Sequence, residues 1–319
     1  MLFRLLLVAL TAASPIHHLP TNTTQTTTST LRLLLTITTL EAFLYAQGCT
    51  ELDPFAFASA GYDSTVYENI CGIALEKAAI VMDFEGLLKA LGQPSGGVEC
   101  EYRFGHGSVQ GLVETAREVG AVGVGAFLGG VQATQSVPLL QTWIASLATT
   151  EARHDAFLRA ETGALPAPSI HDVSLPPTWA YNLIQKWIHA CPKPLPYPIF
   201  PQLNSTTSWQ PGHNQTDDAI DTNLTISLSW RPSEFAVEVS PRQPLYLAVV
   251  DNLPGAKPMI LDVQRKTMNG TVHAGDAVIP GQFAGGVAFA ALTTFVELNS
   301  VDDLVQYGTL AGPVEFVWS

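Results

Sequence analysis

Two short spacings in this sequence could do chemistry. Glu151-Ala-Arg-His154 sets a carboxylate and an imidazole three residues apart, so on a helix both point at one spot. They interrupt an apolar stripe of Leu140, Ile144, Leu147 and Leu158, which makes that spot internal. Glu41 lies likewise among Leu34, Ile37, Leu44 and Gly48, and Glu76 is read onto the face of Ile73, Ile80, Phe84 and Leu87. A buried carboxylate without a partner is costly, so each of the three needs one. Three carboxylates and a histidine converging between four helices is the layout of a carboxylate-bridged di-metal site, with iron or manganese as the metal. The competing reading is a polar core, in which Glu151, His154 and Tyr45 hydrogen-bond one another.

Those residues need helices to carry them. Helical period runs from Leu31 to about Gly163, with breaks at Gly48, Gly92–Gly97 and Val137-Pro138, and predicts helices over 31–47, 65–91, 109–134 and 138–162. Residues 164–205 are rich in proline and form an extended strap, interrupted by one short helix from Thr178 to Ala190. Beyond 205 the chain turns to short β-rich runs separated by Asn, Asp, Gly and Pro. These are Leu224–Trp230, Phe235–Val239, Leu245–Val250, Met259–Val263, Gly270–Val278, Val287–Phe295 and Val314–Trp318, which together read as a small antiparallel β-sandwich. The expected fold class is multi-domain α + β: a four-helix bundle over 31–163, the strap over 164–205 and a sandwich over 206–319.

The N-terminus reads as a leader. Arg4, the apolar run Leu5–Leu10 and small residues up to Ala13 make a signal peptide of residues 1–13, followed by a Thr-rich arm over 14–30. Five N-x-[ST] sequons, at Asn22, Asn204, Asn214, Asn223 and Asn269, suit glycosylation on a secretory route. Cys49, Cys71, Cys100 and Cys191 are an even set for an oxidising compartment, and three pairings are open to them. Of 319 residues 13% are charged, with a formal net charge of −13, and no basic patch relieves it, so nucleic acid is excluded as a partner. No later run reaches the length of a transmembrane span. The glycines Gly123, Gly125 and Gly129 miss the dinucleotide-binding spacing and are expected to allow close helix packing. Trp209, Trp230 and Trp318 could form a sugar platform on the sandwich, core packing being the plainer reading.

Three stretches resemble a family of fungal secreted ferritin-like proteins, often labelled stress-response proteins and distantly related to plant desiccation-related proteins. Leu40-Glu41-Ala-Phe-Leu-Tyr45-Ala-Gln-Gly48 is similar to its first-helix element L-E-x-x-F-Y-x-x-G, with the aromatic pair altered. Glu151-Ala-Arg-His154-Asp-Ala-Phe157-Leu-Arg159 resembles its E-A-R-H-x-A-F-L-R signature. Leu165-Pro-Ala-Pro168, Ala190-Cys191-Pro192 and Leu195–Pro201 follow its proline-rich segment. The likeness covers roughly 31–205 and implies a ferritin-like bundle. A full site there takes a Glu from the first helix, Glu-x-x-His from the second, a Glu from the third and Glu-x-x-His from the fourth. Against that pattern Ala79 stands where the second helix would carry its histidine, and Gly120 where the third would carry its glutamate. Glu41, Glu76, Glu151 and His154 would remain.

The expectation is therefore a secreted glycoprotein with a degenerate di-metal site and no cofactor, not an enzyme. Its role would be structural or interactive at the cell surface or wall, in stress or development. One alternative is metal-dependent oxidase or ferroxidase chemistry at the reduced carboxylate/histidine site, with iron or manganese. A second is carbohydrate binding, with cell-wall or glycan contacts made by the sandwich.

Overall fold

A computed structural model describes residues 21–94, 100–210, 223–250, 257–266, 271–279 and 286–318. The leader, Asn214 and Asn269 lie outside them, as do the side chains of Asn22, Trp209, Asn223 and Trp318.

Four long helices form the first layer: α1 (Thr21–Glu51), α3 (Ser64–Ala90), α4 (Val109–Ala133) and α5 (Pro138–Glu161), with a short α2 (Pro54–Ser59) after α1. Helix α1 begins ten residues before the expected start, so Thr21 to Thr30 is helix rather than arm. The reason is tertiary: Thr27 and Thr30 are buried, and the threonines at 36, 38 and 39 return their hydroxyls to the carbonyl one turn back. Asp53, Asp63 and Ser108 cap α2, α3 and α4 by accepting from backbone N–H groups that the first turn leaves free. Proline opens α5, where a missing N–H costs nothing. Helix α1 packs on α3 and α4 on α5.

The four cysteines pair as Cys49–Cys71 and Cys100–Cys191. The first staples the end of α1 to the start of α3. The second ties the segment before α4 to the strap, where β1 (Glu101–Tyr102) pairs with β2 (Ile188–Ala190).

The strap crosses the glycine-rich face of α4. Leu175 N–H donates to the Gly125 carbonyl at 2.9 Å, and a Cβ at Gly129 would stand 2.0 Å from the Leu175 carbonyl oxygen. Those glycines let backbone meet backbone, against the strap and not, as expected, against another helix. After that crossing α6 (Pro177–Ile184) buries Trp179, Tyr181 and Ile184, and a 3₁₀ turn (Gln185–Trp187) leads into β2. The predicted helix to Ala190 thus ends six residues early, because 188–190 find a strand partner.

Two four-stranded antiparallel sheets follow. One orders β10 (Ala311–Trp318), β9 (Gly286–Thr293), β5 (Tyr246–Val250) and β6 (Met259–Asp262); the other orders β3 (Asn204–Gln210), β4 (Asn223–Trp230), β8 (His273–Ile279) and β7 (Gln264–Lys266). Ala248, Val250, Phe289 and Ala291 share a core with the helices, while Leu247, Val249, Ala288, Ala290 and Leu292 face the second sheet. The first sheet is thus buried on both faces, which explains the near-continuous apolar runs of β5 and β9. Trp230 lies in the core between the sheets at 2% exposure, so it supplies no sugar platform. Two strand readings change. Phe235–Val239 follows a 3₁₀ turn at Pro232–Glu234 and joins no ladder, with Val237 exposed, whereas Asn204–Gln210, which spans the end of the expected strap and is not among the expected strands, pairs with β4 along its whole length.

Candidate functional site

Helix α3 presents Val66, Ile70, Ile73, Lys77, Ile80, Phe84 and Leu88 to the core, a stripe stepping by three and four. Lys77, not Glu76, is the polar member of that stripe. Its side chain is fully buried, and its ammonium lies between two carboxylates from opposite helices. Nζ donates to Glu41 Oε2 of α1 at 2.6 Å and to Glu151 Oε2 of α5. Both glutamates are as buried as the lysine. Glu76 is corrected to an exposed position, 60% accessible, where its Oε2 meets His154 Nε2 at 3.0 Å. His154 stands at the rim of the core rather than in it.

The third and fourth walls of the site also differ from expectation. Gly120 faces Asp155 and Leu158 of α5, its virtual Cβ 3.8 Å from Asp155 Oδ1. Gly123, one turn on, is the α4 residue against the carboxylates: a Cβ there would lie 2.7 Å from Glu41 Oε1 and 3.5 Å from Glu151 Oε2. Ala79 is exposed, and the inward residue three after Lys77 is Ile80. The α4 residue against Glu41 and Glu151 is thus Gly123, one turn beyond Gly120, and the inward α3 residue after Lys77 is Ile80, next to the exposed Ala79.

Electrostatics follow from burial. Desolvation, and then the charge of Glu151, push the Glu41 carboxyl up to about 8, with Lys77 pulling the other way. Burial lowers Lys77, but the charges of Glu151 and Glu41 outweigh it and leave the ammonium above its ordinary value. At neutral pH Glu41 thus holds its proton beside the Lys77 ammonium, which lessens the charge the group brings into a dry core. Burial, and next the positive charge of Lys77, hold the His154 imidazole below its usual range. Tyr45 is buried nearby, its phenol raised first by burial and then by the charges of Glu41, Glu151 and Asp155, so it stays neutral. One turn beyond Glu151, Asp155 accepts from Arg159 Nε at 2.8 Å, a buried pair not anticipated from the sequence.

A divalent metal does not fit these donors. Glu41 Oε2 and Glu151 Oε2 already receive the Lys77 ammonium, which leaves only their two Oε1 atoms without a partner, while α4 offers glycine and α3 lysine and isoleucine. Among the described residues, no three or more of His, Cys, Asp and Glu gather as metal ligands. Lys77 was legible in principle. The stripe 66, 70, 73, 77, 80, 84, 88 fits the chain better than one through Glu76 and Leu87, but the carboxylate drew the register one residue back.

Comparison with known proteins agrees with this architecture. The ferritin-like domain family matches residues 26–164, which span α1 to the end of α5. Protein rds1 of Schizosaccharomyces pombe is 26% identical over 209 residues, covering 60% of this chain and 50% of that protein. The chain spans about half the length of this curated relative. The helical layer with its buried carboxylates is thus the part of the chain that matches the ferritin-like domain family, and the chain is similar over 60% of its length to a fungal protein.

Proposed function

We propose that this is a secreted ferritin-like glycoprotein whose bundle serves as a scaffold. In it the Glu41–Lys77–Glu151 group takes the place of a metal centre. Its role is structural or interactive at the cell surface or wall, in the stress or developmental setting that the family resemblance implies. The position of Lys77 Nζ between Glu41 and Glu151 carries this reading. An ammonium neutralises the carboxylates as a cation would, yet offers no open coordination position and no redox change. Two disulfides and an exposed Asn204 in an N-S-T sequon on β3 support the secretory part. Oxidase or ferroxidase chemistry would require Lys77 to leave a fully buried ion pair.

The test is metal content by elemental mass spectrometry, on secreted protein loaded anaerobically with Fe(II) or Mn(II). The expected result is no stoichiometric metal in the wild-type chain. One or two metals per chain, lost in Glu151→Ala/His154→Ala, would overturn the reading. Treating the same sample with an endoglycosidase checks the glycans, an unchanged mass counting against them.

A further inference from the structure

The described residues hold a second polar group that the bundle does not use. Between the helical layer and the first sheet lies a cavity of about 750 Å³, within the range of roughly 300–1,000 Å³ typical of small-ligand sites. Its walls come from α4, α6, the strap, β3 and β10.

Glu315 is the residue out of place. On β10 it pairs with Phe289 of β9, so its side chain shares the helix-facing side of the sheet with Phe289 and Ala291. An apolar residue belongs in that row. Both carboxyl oxygens of Glu315 are covered, and neither has a hydrogen-bond partner in the protein. Burial pushes this carboxyl up to about 8, with Lys186 and Arg117 acting against it and Glu118 with it. The side chain itself lines the cavity, so a change of its own rotamer is the movement that would turn the carboxyl toward a donor placed there.

The charges around the cavity select the class of ligand. Arg117 and Lys186 are positive and Glu118 negative, and Lys186 is already bound to Glu118 at 2.6 Å and lies 4.1 Å over the Trp187 ring. A cationic ligand meets Arg117 and Lys186. An anionic one meets Glu118 and a chain of net charge −13. A neutral ligand meets neither penalty. It must still bring donors for Glu315, and it meets the hydroxyl-bearing residues Ser205, Thr206 and Thr207 of β3 in the wall, beside Phe200, Pro201 and Pro313. Rings with hydroxyls at the edge and C–H groups on the face satisfy both.

We infer that this cavity binds a neutral, hydroxyl-rich ligand of the saccharide class, with Glu315 as its buried acceptor. The site is distinct from the tryptophan platform considered from the sequence and stands whatever the bundle core holds. Asn204 is exposed at the cavity wall within its sequon, so the ligand has two sources: a free saccharide, or the glycan carried by Asn204 itself.

The experiment titrates the full secreted chain with laminarihexaose, cellohexaose and triacetylchitotriose by calorimetry, with and without Asn204→Gln. At least one saccharide is expected to bind, and Glu315→Gln to weaken it about tenfold or more, the worth of a hydrogen bond to a charged group. Donors from the ligand favour the ionised carboxyl, so binding near pH 7 should release protons, seen as a dependence on buffer ionisation heat that Glu315→Gln removes. Binding only in Asn204→Gln would assign the cavity to the chain's own glycan and supports the inference. Thr207→Trp, which blocks the cavity from an exposed wall position outside the sequon, replaces Glu315→Gln if that variant does not fold. The inference is overturned by any of three results: no saccharide bound by the folded chain in either form, binding that both variants leave unchanged, or tighter binding of spermidine or citrate than of every saccharide.

Discussion

Replacing Lys77 with methionine keeps the length of the stem but leaves Glu41 and Glu151 facing each other without a cation. Breaking a buried pair from one side costs about 3–5 kcal/mol, so Lys77→Met should be among the most destabilising single changes in the helical layer, read by denaturant unfolding. Adding Glu41→Gln and Glu151→Gln should recover a large part of that loss, because the penalty comes from uncompensated charge and not from lost volume. A pH dependence belongs to the same residue. Glu41 holds its proton up to about 8 in the folded chain against 4.5 for an ordinary glutamate, so between those values the folded state binds more protons than the unfolded one. Stability should therefore fall as pH rises from about 4.5 to about 8. Glu315, also raised to about 8, adds to the same slope. Thermal melts across that window should show the decline, flattened in Glu41→Gln and further in Glu41→Gln/Glu315→Gln. A melting temperature that climbs over the window would contradict the assignment of the proton to these carboxyls.

At the scale of elements, helix α4 is the surface on which the others converge. Its glycines meet a carboxylate on one side and the strap backbone on the other. Gly129→Ala would drive a Cβ to 2.0 Å from the Leu175 carbonyl oxygen, and no side-chain rotation relieves a clash with backbone. A loss of about 3 kcal/mol or more is expected, at or above the usual range for overpacking. Gly123→Ala meets Glu41 Oε1 at 2.7 Å and should cost less, because a side-chain terminus can shift. Gly72→Ala, with nothing within 4 Å, is the control that should not destabilise. The disulfides act on elements too. Cys100–Cys191 closes a separation of 91 residues and Cys49–Cys71 one of 22. In the chain-entropy picture the longer loop is worth about 1 kcal/mol more, so removing Cys100–Cys191 should lower the melting temperature further.

Across the whole molecule, the helical layer and the first sheet are not separate cores. Phe289, Ala291, Ala248 and Val250 pack in one cluster with Trp179, Phe127 and Leu158, and Trp179 Nε1 reaches Thr309 Oγ1 at 3.4 Å. The expectation of a bundle, a strap and a sandwich in series describes the order of the chain, but the layers are fused through α6. A chain ending at residue 205 would bare the sheet-facing side of α6 and α4. It should be recovered as an aggregating species that binds a hydrophobic dye, whereas the full chain does not. A well-folded, dye-silent fragment would show that the helical layer stands alone.

The period of the apolar residues, with the breaks at Gly92–Gly97 and Val137-Pro138, was enough to place α3, α4 and α5, because one buried face decides a long helix. The strands β4, β5, β6, β8, β9 and β10 were legible for the same local reason. The carboxylates of Glu41 and Glu151 were legible as buried, since each interrupts an apolar stripe. Three matters were decided only in three dimensions. Glu76 and Lys77 are adjacent, and a period of 3.6 admits either at the edge of a stripe; the facing carboxylates settle the choice by favouring the cation. The thiol pairing depends on which helix ends meet, which no spacing records. The strand at Asn204–Gln210 and its absence at Phe235–Val239 depend on whether a partner edge lies alongside, since a ladder needs two strands and a sequence shows one. The cavity beside Glu315 has the same origin. It exists only where two layers meet, and the single acidic residue in β10 acquires meaning only from the face on which the register puts it.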